Sequence, residues 1–456
     1  MPRDLRTLVN APIAWAQSRP SEPGAAGTAK AGWWWLLWAC VITAAVLLVS
    51  LAASNHQRHE AGFDVFDEGA HYDYVLALTH GHVPASGARV SQTTLRMLSC
   101  VGAFASPPHG CGALYRNPEH YAADGYSYEA VEQPPLGYLP YLLTIQGQGY
   151  TESALVDARW GGFIWSVVGA SMLVWIGWML DLTLLELCAV LVICLLSPVQ
   201  IHATATVTND SAAVPAGAAV LATFLVSRRR HKAMVGIGLI VGLLVGFMKG
   251  FFVVAPFVVL AAVVLSDVAA RRRPTRADFW KRYGCPLAMT AGAVAAYAAW
   301  LLLQDARAVV PTGVVLHALQ GFSTTSYLRP STIFTGIEDE LSGLISSATP
   351  LYWLWNLAVY GSLAGVVLLR GTSRKPQLRA AASAIFVGVV ALGIAFPLLN
   401  FIEGHYDFAT PSRYALSLLP IVGVVVARTW RAQALLFVGV LLPGLAVIAQ
   451  LVGGSP

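Results

Sequence analysis

Long apolar runs recur along the chain, and the polar residues between them are sorted by charge. Runs rich in Leu, Val, Ala, Ile and Trp predict helices over 33–53, 160–180, 184–199, 212–227, 233–248, 250–268, 285–303, 350–369, 380–398, 413–427 and 432–452. A helix rises 1.5 Å per residue, so ~20 apolar residues cross a hydrocarbon core. The pattern therefore predicts an all-α fold: a polytopic transmembrane helical bundle of roughly eleven spans, several of them short. One further apolar stretch, QPPLGYLPYLLTI at 133–145, is short and holds three prolines. It predicts a helix that lies on, or dips into, the outer leaflet, with Pro134 and Pro135 suited to its start.

Composition agrees with this class. The chain is 56% hydrophobic and 12% charged, against about 25% charged in soluble domains. Charge placement then sets orientation. Arg3, Arg6, Arg19 and Lys30, the RRRHK run at 228–232, the basic residues of 271–282 and 370–379, and Arg428 with Arg431 fall on one side if each span crosses once. These segments hold 20 of the 29 Lys and Arg, so the positive-inside rule makes that side the cytoplasm. Residues 1–32, polar and rich in Pro, Ala and Gly, are expected to form a disordered cytoplasmic tail. Residues 33–456 then form a single transmembrane domain. A long outer loop covers 54–159 and a second covers 304–349. The outer segments carry 18 of the 24 acids, which directs the search for chemistry outward.

The cytoplasmic connections are too short for a nucleotide-binding fold, and no Gly-rich phosphate loop stands in the required strand context. Nothing points to nucleic acid. Cys100 and Cys111 share the first outer loop, where an oxidising compartment favours a disulfide worth about 3 kcal/mol. Cys40, Cys188, Cys194 and Cys285 lie in or beside spans and read as packing residues.

Five outer constellations carry candidate chemistry. In VFDEGAHYDYV, Asp67 and Glu68 precede His71 on a predicted helix over 64–80. A partly desolvated carboxylate there is a candidate general base, and an acidic first turn suited to the helix dipole is the simpler account. In TVTNDSAAVPAG, Asn209 and Asp210 stand where the chain re-enters the membrane, as ligand contacts or as helix caps. Lys249 ends a helix too short to cross, so its ammonium sits below the interface, either snorkelling or holding a lipid phosphate. In EGHYDFATPSRYALSLLP, His405, Asp407, Arg413 and Tyr414 crowd one loop. Arg413 opens a span from outside, against the positive-inside trend, and so needs an anionic partner: a phosphate or an acid. Glu132 leads into the proline-rich stretch among tyrosines that suit sugar faces or an interfacial belt. No metal motif of recognised spacing is present, and a divalent cation held by His71, His405 and acids is left open.

FDEGAHYDYV, EQPPLGYLP, ALVDARWGG, TNDS, Lys249 and PSRYALSLLP together resemble the GT-C superfamily of membrane glycosyltransferases. Protein O-mannosyltransferases, aminoarabinose transferases of lipid A and actinobacterial arabinosyl- and mannosyltransferases belong to it. The resemblance implies a polyprenyl-phosphate sugar donor bound at the outer face of a bacterial plasma membrane, and an envelope glycan, lipid or protein as acceptor. It implies that Asp67 is the base, with Glu68 beside it, and that Lys249 and Arg413 hold the donor phosphate. A lipid-linked sugar flippase or transporter, or a non-catalytic envelope-assembly protein, is the alternative.

Overall fold

A computed structural model describes residues 25–59, 62–63, 68–86, 88–102, 110–111, 133–145, 152–228, 234–272, 274–309, 349–368, 376–404 and 412–429. Helices and 3-10 turns are the regular elements among them. α1 spans Ala25–Arg58 and is followed by two outer-loop helices, α2 (Glu68–Thr79) and α3 (Gln92–Val101). A 3-10 turn, Pro135–Tyr138, and the one-turn α4 (Tyr141–Thr144) then lead into α5 (Glu152–Met179). α6 (Leu184–Leu195) and α7 (Pro198–Ala205) follow, then a 3-10 turn, Asn209–Ala212, that opens α8 (Ala213–Ser227). α9 (Met234–Met248) is joined by the turn Gly250–Val253 to α10 (Val254–Ala269). α11 (Arg276–Ala306), α12 (Thr349–Leu368), α13 (Pro376–Gly404), the turn Ser412–Leu418 and α14 (Leu419–Thr429) complete the described chain.

Among the described residues, five helices are long and apolar enough to cross a membrane, or six if α6 and α7, bent by 59° at their junction, count as one span. α9 and parts of α12 and α13 are apolar but shorter. The predicted span over 432–452 lies outside the described residues. Two expectations are revised. The tail predicted as disordered to residue 32 turns helical at Ala25, because Ala25, Ala26, Ala29 and Ala31 favour helix. The stretch 133–145 forms two short turns rather than one helix, since Pro140 interrupts it.

Small residues let the helices approach. Gly238, Gly242 and Gly246, spaced four apart on α9, face backbone oxygens of Cys285, Met289 and Ala293 on α11 with no room for a Cβ. This is the close packing that apolar helices use when hydrophobic burial cannot drive association. On α8, a Cβ at Gly217 would strike the Ser417 carbonyl, so the turn carrying Arg413 and Tyr414 lies directly on the α8 backbone.

Contacts between helix ends sort the bundle into two ends. At one, Trp35 Nε1 donates to Leu182 O at 3.0 Å, Arg428 pairs with Glu186 at 3.2 Å and Arg282 pairs with Asp267. The other end gathers the termini of α1, α7 and α9, the starts of α5 and α8, and the outer-loop helices. A buried ion pair fastens it. Arg159, at the start of α5, donates Nε to Glu68 Oε1 at 2.8 Å and Nη2 to Glu68 Oε2 at 2.7 Å. Its remaining hydrogens reach Arg58 O and Gly62 O, at 3.0 and 2.7 Å. Val207 N donates to Glu68 Oε1 at 2.8 Å. α1, α2, α5 and the α7–α8 connection thus meet at one carboxylate and one guanidinium, both buried. Asp73 repeats the device locally: it accepts from Ser91 N at 3.2 Å and Thr94 Oγ1 at 2.6 Å, fixing α2 to the start of α3. Cys100 and Cys111 are joined by a disulfide at the end of α3.

Removing one partner strands the other charge in a site without water. Arg159→Met should cost about 3 kcal/mol or more and lower the Tm in detergent well beyond Arg159→Lys. Equal melting of wild type and Arg159→Met would remove the fastening role.

Candidate functional site

The sequence pattern of the outer segments dictates how the site is built. Thr208 caps the Asn209–Ala212 turn, its hydroxyl accepting from Asp210 N at 3.3 Å. This faces Asp210 into the bundle at the mouth of α8, where it is 1% exposed. α9 has only 15 residues, about 22 Å of helix, and the chain breaks at Lys249 into an extended residue before the next turn. Lys249 Nζ there reaches Asp210 Oδ1 at 2.6 Å. Arg413, from the turn laid against Gly217, brings Nε to 3.7 Å from Asp210 Oδ2. Tyr414 lies beneath both cations: Lys249 Nζ is 5.0 Å and the Arg413 guanidinium 5.9 Å from its ring centre. Phe251 stacks on Tyr414 with ring centres 4.0 Å apart. Both cations can use the ring's negative face.

The proline-rich turn closes one wall. Gly137 approaches so closely that a Cβ there would lie 2.8 Å from Met248 O and 2.9 Å from the Asn209 Cβ. Its carbonyl accepts from Trp165 Nε1 at 2.8 Å. Tyr141 plugs the base of the turn. Its hydroxyl is 2.8 Å from Thr208 O, 3.0 Å from Thr206 O and 3.0 Å from Ser211 Oγ. Asn209, fully buried, donates to Gln133 Oε1 at 3.5 Å and keeps its own carbonyl oxygen without a hydrogen bond among the described residues.

His71, on α2, completes the polar cluster. Its Nδ1 is 2.6 Å from Tyr138 OH, and Tyr74 packs on Tyr138 at 4.7 Å. Burial pushes the imidazole pKa down to about 3, and the charges of Lys249 and Arg413 act in the same direction against the opposing Asp210. His71 is therefore neutral across the ordinary pH range, and Tyr138 fixes its orientation.

Of the residues predicted from sequence, His71, Asn209, Asp210, Lys249, Arg413 and Tyr414 fall into this one neighbourhood. Asp67, Glu132, His405 and Asp407 lie outside the described residues. Glu68 lies in a buried ion pair with Arg159. Both its oxygens accept hydrogen bonds, from Arg159 and from Val207 N, which ties the start of α2 to α5 and to the α7–α8 connection. Lys249 meets an acid, Asp210, within hydrogen-bond reach. Arg413 likewise has Asp210 as an anionic partner. Arg159, Tyr141 and Phe251 are not singled out by sequence reasoning. Arg159 carried a readable signal: like Arg413, it is a cation opening a span at the acidic end.

Two cations against one carboxylate leave this cluster one positive charge in excess among the described residues. Arg413, with 22% of its side chain exposed against 4% for Lys249 and 2% for Asp210, is the most accessible charge of the three. Among the described residues no group of three His, Cys, Asp or Glu side chains is arranged to hold a metal ion. The chain is thus defined as an all-helical membrane-type bundle whose described residues bring two cations, a carboxylate and stacked aromatics together at one end. Comparison with protein-family models, curated proteins and solved structures yields no match.

Two outcomes test this geometry. Lys249→Met should lower the Tm by uncovering Asp210, and adding Asp210→Asn should recover most of the loss; additive losses would contradict a coupled pair. Because the folded pKa of His71 lies below the unfolded value of 6.5, its contribution to stability is complete above about pH 6.5. It is lost as pH falls from there toward about 3. Thermal melts across that window should show the decline, and His71→Gln should flatten it.

Proposed function

We propose that the protein is a glycosyltransferase of a bacterial plasma membrane. It moves a sugar from a polyprenyl-phosphate donor to an envelope acceptor, a glycan, lipid or protein, on the extracytoplasmic face. The observation that carries this reading is the meeting of Asp210, Lys249, Arg413 and Tyr414 at the bundle end where the acidic connections emerge. A polyprenyl donor keeps its tail in the bilayer and offers its phosphate at that level. Arg413 takes the phosphate oxygens through its planar fork. Lys249, held by Asp210, adds charge from below. The stacked pair of Tyr414 and Phe251 offers an apolar face to the sugar ring.

Asp67 is the base. It accepts the proton of the acceptor hydroxyl as that oxygen bonds to the anomeric carbon. The bond from that carbon to the phosphate oxygen breaks, and its electron pair leaves with the polyprenyl phosphate. The two cations stabilise the added negative charge. Glu68 carries no proton in this scheme and anchors the segment that bears Asp67. Neutral His71, with Asn209, Glu132, His405 and Asp407, supplies hydrogen bonds to sugar and acceptor.

A second reading, a flippase for lipid-linked sugars, draws on the 59° break between α6 and α7 and on Gln200. This α7 residue is fully buried with both side-chain polar atoms lacking a hydrogen bond among the described residues. Broken helices with open polar groups are where transporters bind cargo.

Transfer from radiolabelled polyprenyl-phosphate sugars in membranes decides between them. Asp67→Asn should reduce transfer by about 100-fold or more with donor binding retained. Arg413→Ala should weaken donor binding by roughly tenfold or more. Full transfer by Asp67→Asn would sink the base assignment. Translocation without transfer would establish the flippase.

A further inference from the structure

At the opposite end of the bundle a cavity of about 170 Å³ opens between α8, α10, α13 and α14. α8 separates it from Asp210 by 15 residues, about 22 Å, so it is no part of the site above. Its walls are hydrocarbon, with Leu221, Leu225, Val258, Val259, Ile421 and Val425 among them. Its rim is not. Arg228, Arg272, Arg282 and Arg428 line it together with one carboxylate, Asp267. Asp267 is shared by Arg282 and by Tyr283, whose hydroxyl donates to it at 2.8 Å. Arg428 leans on Glu186 behind the rim and keeps a buried Nε without a hydrogen bond.

With Arg272 set aside, Arg228, Arg282 and Arg428 stand against Asp267 and Glu186, so the rim keeps a positive excess among the described residues. The arginines are close enough to oppose one another. Burial lowers the Arg228 pKa, and the like charges of Arg282 and Arg272 lower it further against Asp267. In sequence, Arg229, Arg230 and Arg273 adjoin the same connections.

A cationic rim over an apolar cleft between membrane helices matches one amphiphile chemistry, an anionic head on a hydrocarbon chain. We infer that the cleft binds an anionic phospholipid from the leaflet on the arginine side. The phosphate takes the guanidinium forks of the rim, and one acyl chain enters between α8, α10 and α14. The occupant relieves the repulsion among the arginines. It also fixes α14, whose far end begins at the turn holding Arg413 and Tyr414.

The test uses the full chain in a neutral detergent. Phosphatidylglycerol should raise the Tm by several degrees, and phosphatidylcholine or inorganic phosphate at the same concentration should not. The R228Q/R272Q variant should bind phosphatidylglycerol more weakly, by about fivefold per cation removed. Ala381→Phe narrows the cleft and leaves every arginine in place, and it should abolish the shift. An equal shift with phosphatidylcholine would reduce the cleft to ordinary lipid contact. A shift with inorganic phosphate alone would make it a simple anion site. Either result overturns the proposal. Should a variant fail to fold, native mass spectrometry of the wild type from an equal mixture of the two lipids decides. Preferential retention of one phosphatidylglycerol supports the site, and equal retention overturns it.

Discussion

A carboxylate at the end of a hydrocarbon-packed bundle has to be matched oxygen by oxygen, and the Glu68–Arg159 pair is where this protein meets that demand. In a medium without water an isolated charge costs several kcal/mol or more. Arg159 answers with a bidentate fork and spends its other hydrogens on Arg58 O and Gly62 O. Five backbone segments are thereby drawn to one point. The cost of leaving any of these groups unmet is what makes the junction rigid, and the outer-loop helices are oriented from it.

The functional cluster inherits its geometry from that junction. Val207, bonded to Glu68, stands two residues before Asn209. Tyr141 braces the same connection from the opposite side through Thr206, Thr208 and Ser211. Asp210 is held between these supports, and Lys249 and Arg413 are brought to it by a helix that stops short and by a turn resting on Gly217. The aromatic floor of Tyr414 and Phe251 then gives two desolvated cations a compensating surface. The charges of the cluster are thus held in place by the fold itself.

The two ends of the bundle solve the same problem with opposite balances of freedom. At the Asp210 end Lys249 and Asp210 are deeply buried, while Arg413 is partly exposed. At the other end the ion pairs Arg282–Asp267 and Arg428–Glu186 remain partly exposed, and among the described residues arginines outnumber carboxylates around an apolar cleft. α8, α10 and α14 run between both places, so the arginine rim and the Asp210 site share their supporting helices.

The all-helical class, the apolar runs and the separation of basic from acidic connections follow from the sequence, because hydrocarbon accepts only segments that satisfy their own backbone groups. So does the candidacy of Asp210, Lys249 and Arg413, since a charge beside an apolar run needs a partner whatever the fold. What sequence could not supply was the identity of each partner. Glu68 reads in sequence as the neighbour of Asp67 in a partly desolvated acidic pair. Its true partner, Arg159, is 91 residues away. Lys249 and Arg413 each called for an anion, but that both would converge on Asp210 depends on where α9 breaks and on how closely the 412–418 turn lies on α8. Those are decided by close packing, where a single Cβ of clearance at Gly217 or Gly137 sets the distance. Hydrophobic pattern is local and survives in the sequence, whereas pairing between buried charges depends on separations of a few ångströms that only the assembled bundle fixes.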